Sequence, residues 1–163
     1  MPENPTEGAE GWGAETPERI EAEPKVLRSD TLSATILATP EEVFDYMADI
    51  RNWPEFTDFA ESVRKGDGDS WIIYSPQGPV LLEPDFERDR GLLDSTVTLP
   101  SGEQVFIPYR VVPNGEGAEL VMTNFQASGD SDEAYAEQLD WMKKELENVK
   151  RIVEERRQGT PAI

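Results

Sequence analysis

The sequence predicts an α+β domain in which an antiparallel sheet packs against one long C-terminal helix. Three short segments share a Pro-x-Gly pattern that is typical of the turns of β-hairpins, SPQG (75–78), LPSG (99–102) and VPNG (112–115), so we expect strands over about 60–126. Residues 131–158 place apolar residues at spacings of three and four, which indicates one amphipathic helix, and Asp130 and Glu133 can form its capping box. At about 1.5 Å per residue this helix would be roughly 40 Å long, enough to cross a whole sheet.

The residues ahead of the hairpins predict one strand and two short helices. The segment 26–38 is rich in β-branched residues and predicts the first strand. Thr39 predicts the N-cap of a helix that starts at Pro40, and Glu42 completes a capping box. A second N-cap signal at Asn52 predicts another short helix directly after the first.

Three segments of different composition divide the chain. Residues 1–24 carry seven Glu, one Arg and several Gly and Pro, which is typical of a disordered segment. We therefore predict a disordered acidic leader over 1–24, a folded domain over 25–159 and a short tail over 160–163. Trp12 lies between two glycines of the leader and could contact a partner protein or the domain itself.

The composition excludes several classes of function. The formal net charge of −19, from 34 acidic and 15 basic residues, disfavours nucleic acid and anionic membranes as partners. The chain has no cysteine and no histidine, which excludes disulfides, thiol catalysis, Ser-His-Asp triads and imidazole-ligated zinc. We predict no metal site and no cofactor, because the acidic run EPDFERD (83–89) is interpreted as a solvated strand edge and no phosphate-binding glycine loop is present.

No apolar run approaches the roughly 20 residues of a membrane span, and no signal-peptide pattern is present. We therefore expect a cytoplasmic protein. The sequence leaves the oligomeric state open.

The shared turn pattern also predicts which residues face the interior. If the residue before each Pro pairs with the residue after each Gly, the numbers of opposed residues have an even sum, and even-numbered residues share a face. That face carries few charges apart from Asp94 and Arg110, so we predict that it lies inside, under the long helix. The same register places Asp94 opposite Pro108 and diagonal to Arg110, within reach of the guanidinium.

The residues predicted to face inward form a candidate ligand site. Arg110 would donate hydrogen bonds to a ligand carbonyl, enolate or carboxylate while Asp94 orients it; the alternative is a buried structural ion pair that contacts no ligand. Tyr74 could act as an acid or hydrogen-bond donor. Apolar side chains on this face suit a ligand pocket and an ordinary core equally well. The remaining candidate ligand-binding residues are Phe86, Phe106, Met122, Asn124 and Met142.

Residues from about 26 to 157 resemble the START-like superfamily, also called SRPBCC, which includes polyketide cyclases and dehydrases. The segment ATPEEVFDYMADIRNWPEF (38–56) carries this resemblance. Three later segments are similar to an uncharacterised bacterial polyketide cyclase-like subgroup, in which residues matching Asp94, Pro108 and Arg110 recur and His often stands where this chain has Ser95. These segments are GLLDSTVTLPSG, IPYRVVPNGEGAE and SDEAYAEQLDWMKKELENVK.

The resemblance implies a helix-grip fold, in which a curved antiparallel sheet wraps a long helix and leaves a cavity for an apolar or amphipathic ligand. The superfamily's known roles include lipid binding, and we expect this protein to bind a hydrophobic or amphipathic small molecule whose polar end Arg110 anchors. Two alternatives stay open. One is a polyketide cyclase or dehydratase that uses Arg110, Asp94 and Tyr74, and the other is a co-chaperone-like protein-binding module, for which the leader with Trp12 is the suggestive feature.

Overall fold

The computed structural model describes residues 23–159, in which seven antiparallel strands and three α-helices form a helix-grip α+β fold. The strands are β1 (Ser29–Ile36), β2 (Ser62–Lys65), β3 (Trp71–Ser75), β4 (Gly78–Glu87), β5 (Leu92–Thr98), β6 (Gln104–Asn114) and β7 (Gly117–Phe125). The helices are α1 (Pro40–Ala48), α2 (Trp53–Phe56) and α3 (Asp132–Arg157), with 3-10 turns at Ile50–Asn52 and Arg88–Arg90. Most of the predicted leader, including Trp12, and the predicted tail lie outside the described residues.

The strands form one open sheet in the order β1-β7-β6-β5-β4-β3-β2, which leaves β1 and β2 at its edges. Apart from the contact between β1 and β7, each neighbouring pair is consecutive in the chain, as predicted for a meander. Helix α1 contacts β5, β6 and β7, and α3 contacts β1, α1 and α2. All three helices therefore cover the same concave face of the sheet.

Helix α1 begins as predicted, and the other two helices begin differently. Thr39 accepts a hydrogen bond from the Glu42 amide and Pro40 takes the first helical position. Asn52 makes no capping bond to α2; its Nδ2 donates to the Tyr46 carbonyl at 3.0 Å. Ser131 caps α3 by accepting from the Ala134 amide, because this hydroxyl lies directly before the first helical residue.

Helix α3 buries one stripe of side chains, as its spacing predicts. The fully buried members of the stripe are Tyr135, Met142, Leu146, Val149 and Val153. The Tyr135 hydroxyl also donates to Asp30 at 2.8 Å, which ties the start of the helix to β1. Near the other end, Lys150 donates to the Thr35 carbonyl and Glu154 accepts from the Leu37 amide, both at 2.8 Å.

Only one of the three predicted hairpin turns has the predicted register. In the LPSG turn the Leu99 amide donates to the Glu103 carbonyl, and the register of β5 and β6 gives the even sum that was predicted. Ser75 instead pairs with Gly78, and Asn114 pairs with Gly117. The Ser75 hydroxyl closes its turn by donating to the Gly78 carbonyl, and Gly115 takes φ +57° one residue beyond the expected turn centre. Each of these turns is shorter by one residue than predicted.

These shorter turns reverse the faces of three strands. The prediction that even-numbered residues face inward is right for β4 and β7, where Val80, Leu82 and Leu120 are buried. It is wrong for β3, β5 and β6, where Pro108 is the one even-numbered buried residue and the other buried residues are odd-numbered. These are Ile73, Ser75, Leu93, Ser95, Val97, Tyr109 and Val111. The turn at Arg88–Arg90 contributes a further reversal, because Glu87 pairs with Leu92 and the sum is odd.

Candidate functional site

A cavity of about 220 Å³ lies between the inner face of the sheet and the N-terminal half of α3. Aromatic rings dominate its wall, and Phe106 and Trp141, which are 50% and 44% exposed, lie where it opens to solvent. The side chains around it are Trp53, Phe56, Thr57, Phe59, Val97, Leu99, Val105, Phe106, Ile107, Tyr109, Met122, Asn124, Gln138, Trp141, Met142 and Glu145. The space is therefore apolar, with a small number of polar groups on its wall.

One carboxylate, that of Glu145 on α3, is the acidic group of this wall. Thr57, just after α2, donates its hydroxyl to Glu145 Oε1 at 2.6 Å. The Tyr109 hydroxyl on β6 forms a second side-chain hydrogen bond with the same carboxylate. Three elements therefore position one partly buried carboxylate at the cavity wall.

The surroundings of Glu145 disfavour its charged form. Burial raises the pKa of Glu145 above its ordinary value; the hydrogen bonds from Thr57 and Tyr109 act in the opposite direction, and the nearby negative charge of Asp58 raises the pKa further. Burial, followed by the charge of Glu145, holds the pKa of Tyr109 well above its ordinary value. A carboxyl with a raised pKa in an apolar cavity can exchange a proton with a bound molecule or accept a hydrogen bond from it.

Two amide side chains form a second polar group on the cavity wall. Asn124 donates through Nδ2 to Gln138 Oε1 at 3.3 Å, and Gln138 donates through Nε2 to Asp130 Oδ2 at 3.0 Å. These bonds link β7 to the first turns of α3. They hold both amides in place and use part of their hydrogen-bonding capacity.

Four of the sequence-predicted candidates lie at this cavity. Met122, Asn124 and Met142 line it, and Phe106 lies at its mouth. Phe86 is partly buried against the core but lines a different depression, beside Trp71. The structure thus brings candidate residues from β6, β7 and α3 together at one cavity.

The remaining candidates, Arg110, Asp94 and Tyr74, lie on the opposite face of the sheet. In each case the residues before and after it in the strand are buried, so its own side chain faces outward. The prediction that these three residues face inward is therefore wrong, because the turns differ in length from those predicted. The predicted pairing itself is present: Arg110 Nη1 contacts Asp94 Oδ1 and also donates to the Tyr109 carbonyl at 2.9 Å. The two side chains remain 38% and 19% exposed, so the pair is partly solvated.

The residues that build the polar end of the cavity, Glu145, Tyr109 and Thr57, were not singled out in the sequence. A signal for Glu145 is present, because it lies three residues after Met142 and four before Val149, on the apolar stripe of α3. Tyr109 was assigned to the wrong face with the rest of β6. Thr57 follows α2 in a segment without a regular pattern.

Ser95 on β5 faces the interior. Its side chain is 1% exposed and its Oγ has no hydrogen-bond partner among residues 23–159. Its strand neighbours are Pro84 and Ile107, and the latter lines the cavity. An unpaired buried hydroxyl costs free energy, so Ser95 does not contribute to the fold through hydrogen bonding.

Two kinds of feature are absent from the described part of the chain. No group of three or more acidic side chains there is arranged to hold a metal ion. None of the described helices is long and apolar enough to cross a membrane.

Comparison with solved structures gives the fold. XoxI from Bacillus cereus has 14% sequence identity and a TM-score of 0.61, and the match covers 78% of this chain and 96% of that one. The Zhui aromatase/cyclase from Streptomyces sp. R1128 has 18% identity and a TM-score of 0.63, with 84% and 99% covered. The di-domain aromatase/cyclase StfQ of the steffimycin biosynthetic pathway has 16% identity and a TM-score of 0.62, with 79% of this chain and 46% of StfQ covered.

No curated protein matches the sequence. The model of one protein family, described as polyketide cyclase / dehydrase and lipid transport, matches residues 29–154, from the first strand to the last turns of α3. That match spans well over half of the chain. The chain therefore belongs to the polyketide cyclase / dehydrase and lipid transport family.

Proposed function

We propose that this protein binds a compact hydrophobic or amphipathic small molecule in the cavity between the sheet and α3, with the ligand's polar end at Glu145. The observation that carries the proposal is an aromatic cavity with a single carboxylate on its wall. Ligand pockets are typically apolar clefts with few convergent polar groups, and a group with a raised pKa marks such a site. The family's description and the aromatase/cyclase neighbours are consistent with a ligand of this kind.

The size of the cavity limits the ligand. Its volume of about 220 Å³ is below the roughly 300–1,000 Å³ of pockets that bury drug-sized molecules. A ligand with two fused rings or a short chain is therefore expected to fit, and a larger one would have to extend past Phe106 and Trp141 into solvent.

Arg110 has no part in this proposal. Its guanidinium lies on the other face of the sheet with Asp94, so the anchoring role expected from the sequence passes to Glu145. The residue proposed to anchor the ligand is therefore an acid, whereas the sequence predicted a base.

Titration with the neutral fluorescent probe N-phenyl-1-naphthylamine tests the proposal, because its naphthalene is of the size expected to fit and its phenyl ring can extend past Phe106 and Trp141. We expect saturable binding with a large fluorescence increase, and we expect Ile107→Trp, which fills the cavity, to weaken it at least about tenfold, a loss of about 1.4 kcal/mol. Val112→Trp is the matched control: Val112 also lies on β6, is 45% exposed and does not line the cavity. Circular dichroism establishes that both variants fold. Equal affinities in the two folded variants would contradict the proposed site.

Acid–base catalysis on the bound ligand is a second candidate function, favoured by the raised pKa of Glu145 beside the Tyr109 hydroxyl. The Glu145 carboxylate can take a proton from the carbon beside a ketone, and the protonated carboxyl can then give that proton to the alkoxide oxygen that forms when the enolate carbon attacks a second carbonyl. This arrangement replaces the cyclase expected from the sequence, whose residues Arg110, Asp94 and Tyr74 do not reach the cavity.

Mass spectrometry of a β-keto thioester incubated with the protein tests this second candidate. Cyclised or dehydrated product should form with the wild type and with Glu147→Gln, an exposed neighbour on α3, and should fall at least about 100-fold with Glu145→Gln. If the protein binds the fluorescent probe but forms product no faster than buffer alone, it is a binding protein and the proposed catalysis is wrong.

A further inference from the structure

The charges around the cavity have one sign. Among the described residues, Glu145 is the only one lining the cavity whose side chain ordinarily ionises near neutral pH or below, and no Lys or Arg lines it. Asp58, the nearby charged residue that acts on Glu145, adds negative charge. A bound carboxylate or phosphate would therefore face repulsion without a compensating cation.

Glu145 also lacks a cation within the protein. The ion pairs recorded over residues 23–159 use other acidic side chains, and the hydrogen bonds that Glu145 accepts come from the neutral hydroxyls of Thr57 and Tyr109. Charges withdrawn from water are normally paired, because an unpaired one loses its hydration without a replacement. The charged form of Glu145, which its surroundings disfavour, would therefore gain from a cationic ligand the one type of partner that it lacks.

The aromatic wall adds a second preference for positive charge. Trp and Tyr rings attract cations through their faces, and the rings of Trp53, Tyr109 and Trp141 lie on the wall that holds Glu145. The cation–π contacts recorded over the described chain use Phe44, Tyr46, Trp71 and Tyr135, and no cavity ring is among them. No cation of the described chain therefore lies over these rings.

We infer that the cavity selects lipophilic organic cations, that is, aromatic or short-chain molecules with a protonated amine, for which Glu145 is the counter-ion. The inference rests on the proposed function and names the class of its ligand. The amine would donate to the Glu145 carboxylate and pack against the aromatic wall, and its apolar part would fill the space near Met122 and Met142. The net charge of −19 attracts such ligands toward the protein before they bind.

Three naphthalene probes of similar size test the inference in the full-length protein by isothermal titration calorimetry at neutral pH and physiological ionic strength. They are 2-naphthylmethylamine, which is a cation, 2-naphthalenemethanol, which is neutral, and 2-naphthoate, which is an anion. We expect the amine to bind at least about tenfold tighter than the alcohol, and the carboxylate to bind most weakly. In Glu145→Gln the ratio of amine to alcohol affinity should fall to within about twofold of one. Because the readout is a ratio, a general loss of affinity in the variant does not affect it.

Glu147→Gln is the matched control, because it removes one negative charge from the exposed side of the same helix. This variant should keep the preference for the amine. That result would show that the preference comes from the carboxylate in the cavity and not from the net charge of the protein. An alcohol that binds as tightly as the amine in the wild type, or an amine preference that survives in Glu145→Gln, would overturn the inference and leave the hydrophobic cavity intact. Absence of binding by all three probes would overturn the proposed function as well.

Discussion

Arg110 and Asp94 form a partly solvated ion pair on the outer face of the sheet. Pairs open to water contribute about 0–1 kcal/mol, whereas breaking a buried pair costs about 3–5 kcal/mol. We therefore expect a double-mutant cycle of Arg110→Ala and Asp94→Ala to give a coupling free energy of about 1 kcal/mol or less in urea denaturation. A coupling of several kcal/mol would mean that water does not reach the pair.

The contact between these two residues was predictable from the sequence, and the face on which they lie was not. Their contact depends on the register of the LPSG hairpin alone, which has the expected turn. The face depends on every turn between Arg110 and a strand of known orientation. One residue fewer in the turn at Asn114–Gly117 is enough to reverse β6 relative to β7.

Glu145 makes stability depend on pH in the direction opposite to a salt-bridged carboxylate. Because burial raises its pKa in the folded state, the folded protein binds a proton more readily than the unfolded chain. The stabilisation is therefore fully present below the unfolded pKa and is lost as pH rises through the folded pKa. We expect the melting temperature of Glu145→Gln minus that of the wild type to increase from about pH 5 to about pH 8. Glu147→Gln should show no such increase, and a difference that falls with pH would contradict the raised pKa.

Gly91 joins β4 to β5 at a point where the backbone leaves no room for a side chain. Its φ is +65°, and a Cβ added there would overlap the Val111 carbonyl oxygen. We expect Gly91→Ala to lower the free energy of unfolding by about 3 kcal/mol or more, measured by urea denaturation, from the sum of left-handed strain and steric overlap.

Gly115→Ala separates these two causes. Gly115 has a similar φ of +57°, and a Cβ there would have no neighbour within 4 Å. Its substitution should cost only about 1–2 kcal/mol, the price of the backbone conformation. Equal losses in the two variants would show that the approach of Val111 has no energetic consequence.

At the scale of elements, most of the architecture follows from local patterns. The apolar stripe of α3 and the N-cap at Thr39 depend only on residues close together in the chain, so both could be predicted from the sequence. The cap of α3 was misplaced by one residue because Asp130 and Ser131 both suit an N-cap. Glu145 is one of many acidic residues on α3, and only its place on the apolar stripe distinguishes it.

The chain as a whole carries a large excess of negative charge, −19 over 163 residues. Self-repulsion destabilises a compact state, and raising the ionic strength from about 0.01 M to about 0.15 M shortens the screening length from about 30 Å to about 8 Å. The melting temperature should therefore rise by about 2 °C or more over this range, as measured by differential scanning calorimetry.

Sodium chloride and potassium chloride should give the same rise, since screening depends on ionic strength rather than on the cation. A melting temperature that falls with added salt would mean that attractive ion pairs outweigh the repulsion.

The cavity forms between elements that are distant in the sequence, so its position and size could not be predicted from the sequence. Thr57, Tyr109 and Glu145 are far apart in the sequence and meet only because α2, β6 and α3 pack together. The element order and the family resemblance predict that a space exists between sheet and helix. Whether side chains fill it depends on packing that no local pattern encodes.

The open sheet has a further consequence for how the protein behaves at high concentration. Exposed edge strands can add strands from other molecules and so begin aggregation. At one edge, β2 is four residues long and carries Arg64 and Lys65, which makes it a poor template for pairing. At the other edge, the side chains of Lys150 and Glu154 bind backbone groups at the end of β1. The helix that encloses the cavity therefore also occupies two backbone groups that a strand from another molecule would need at the end of β1.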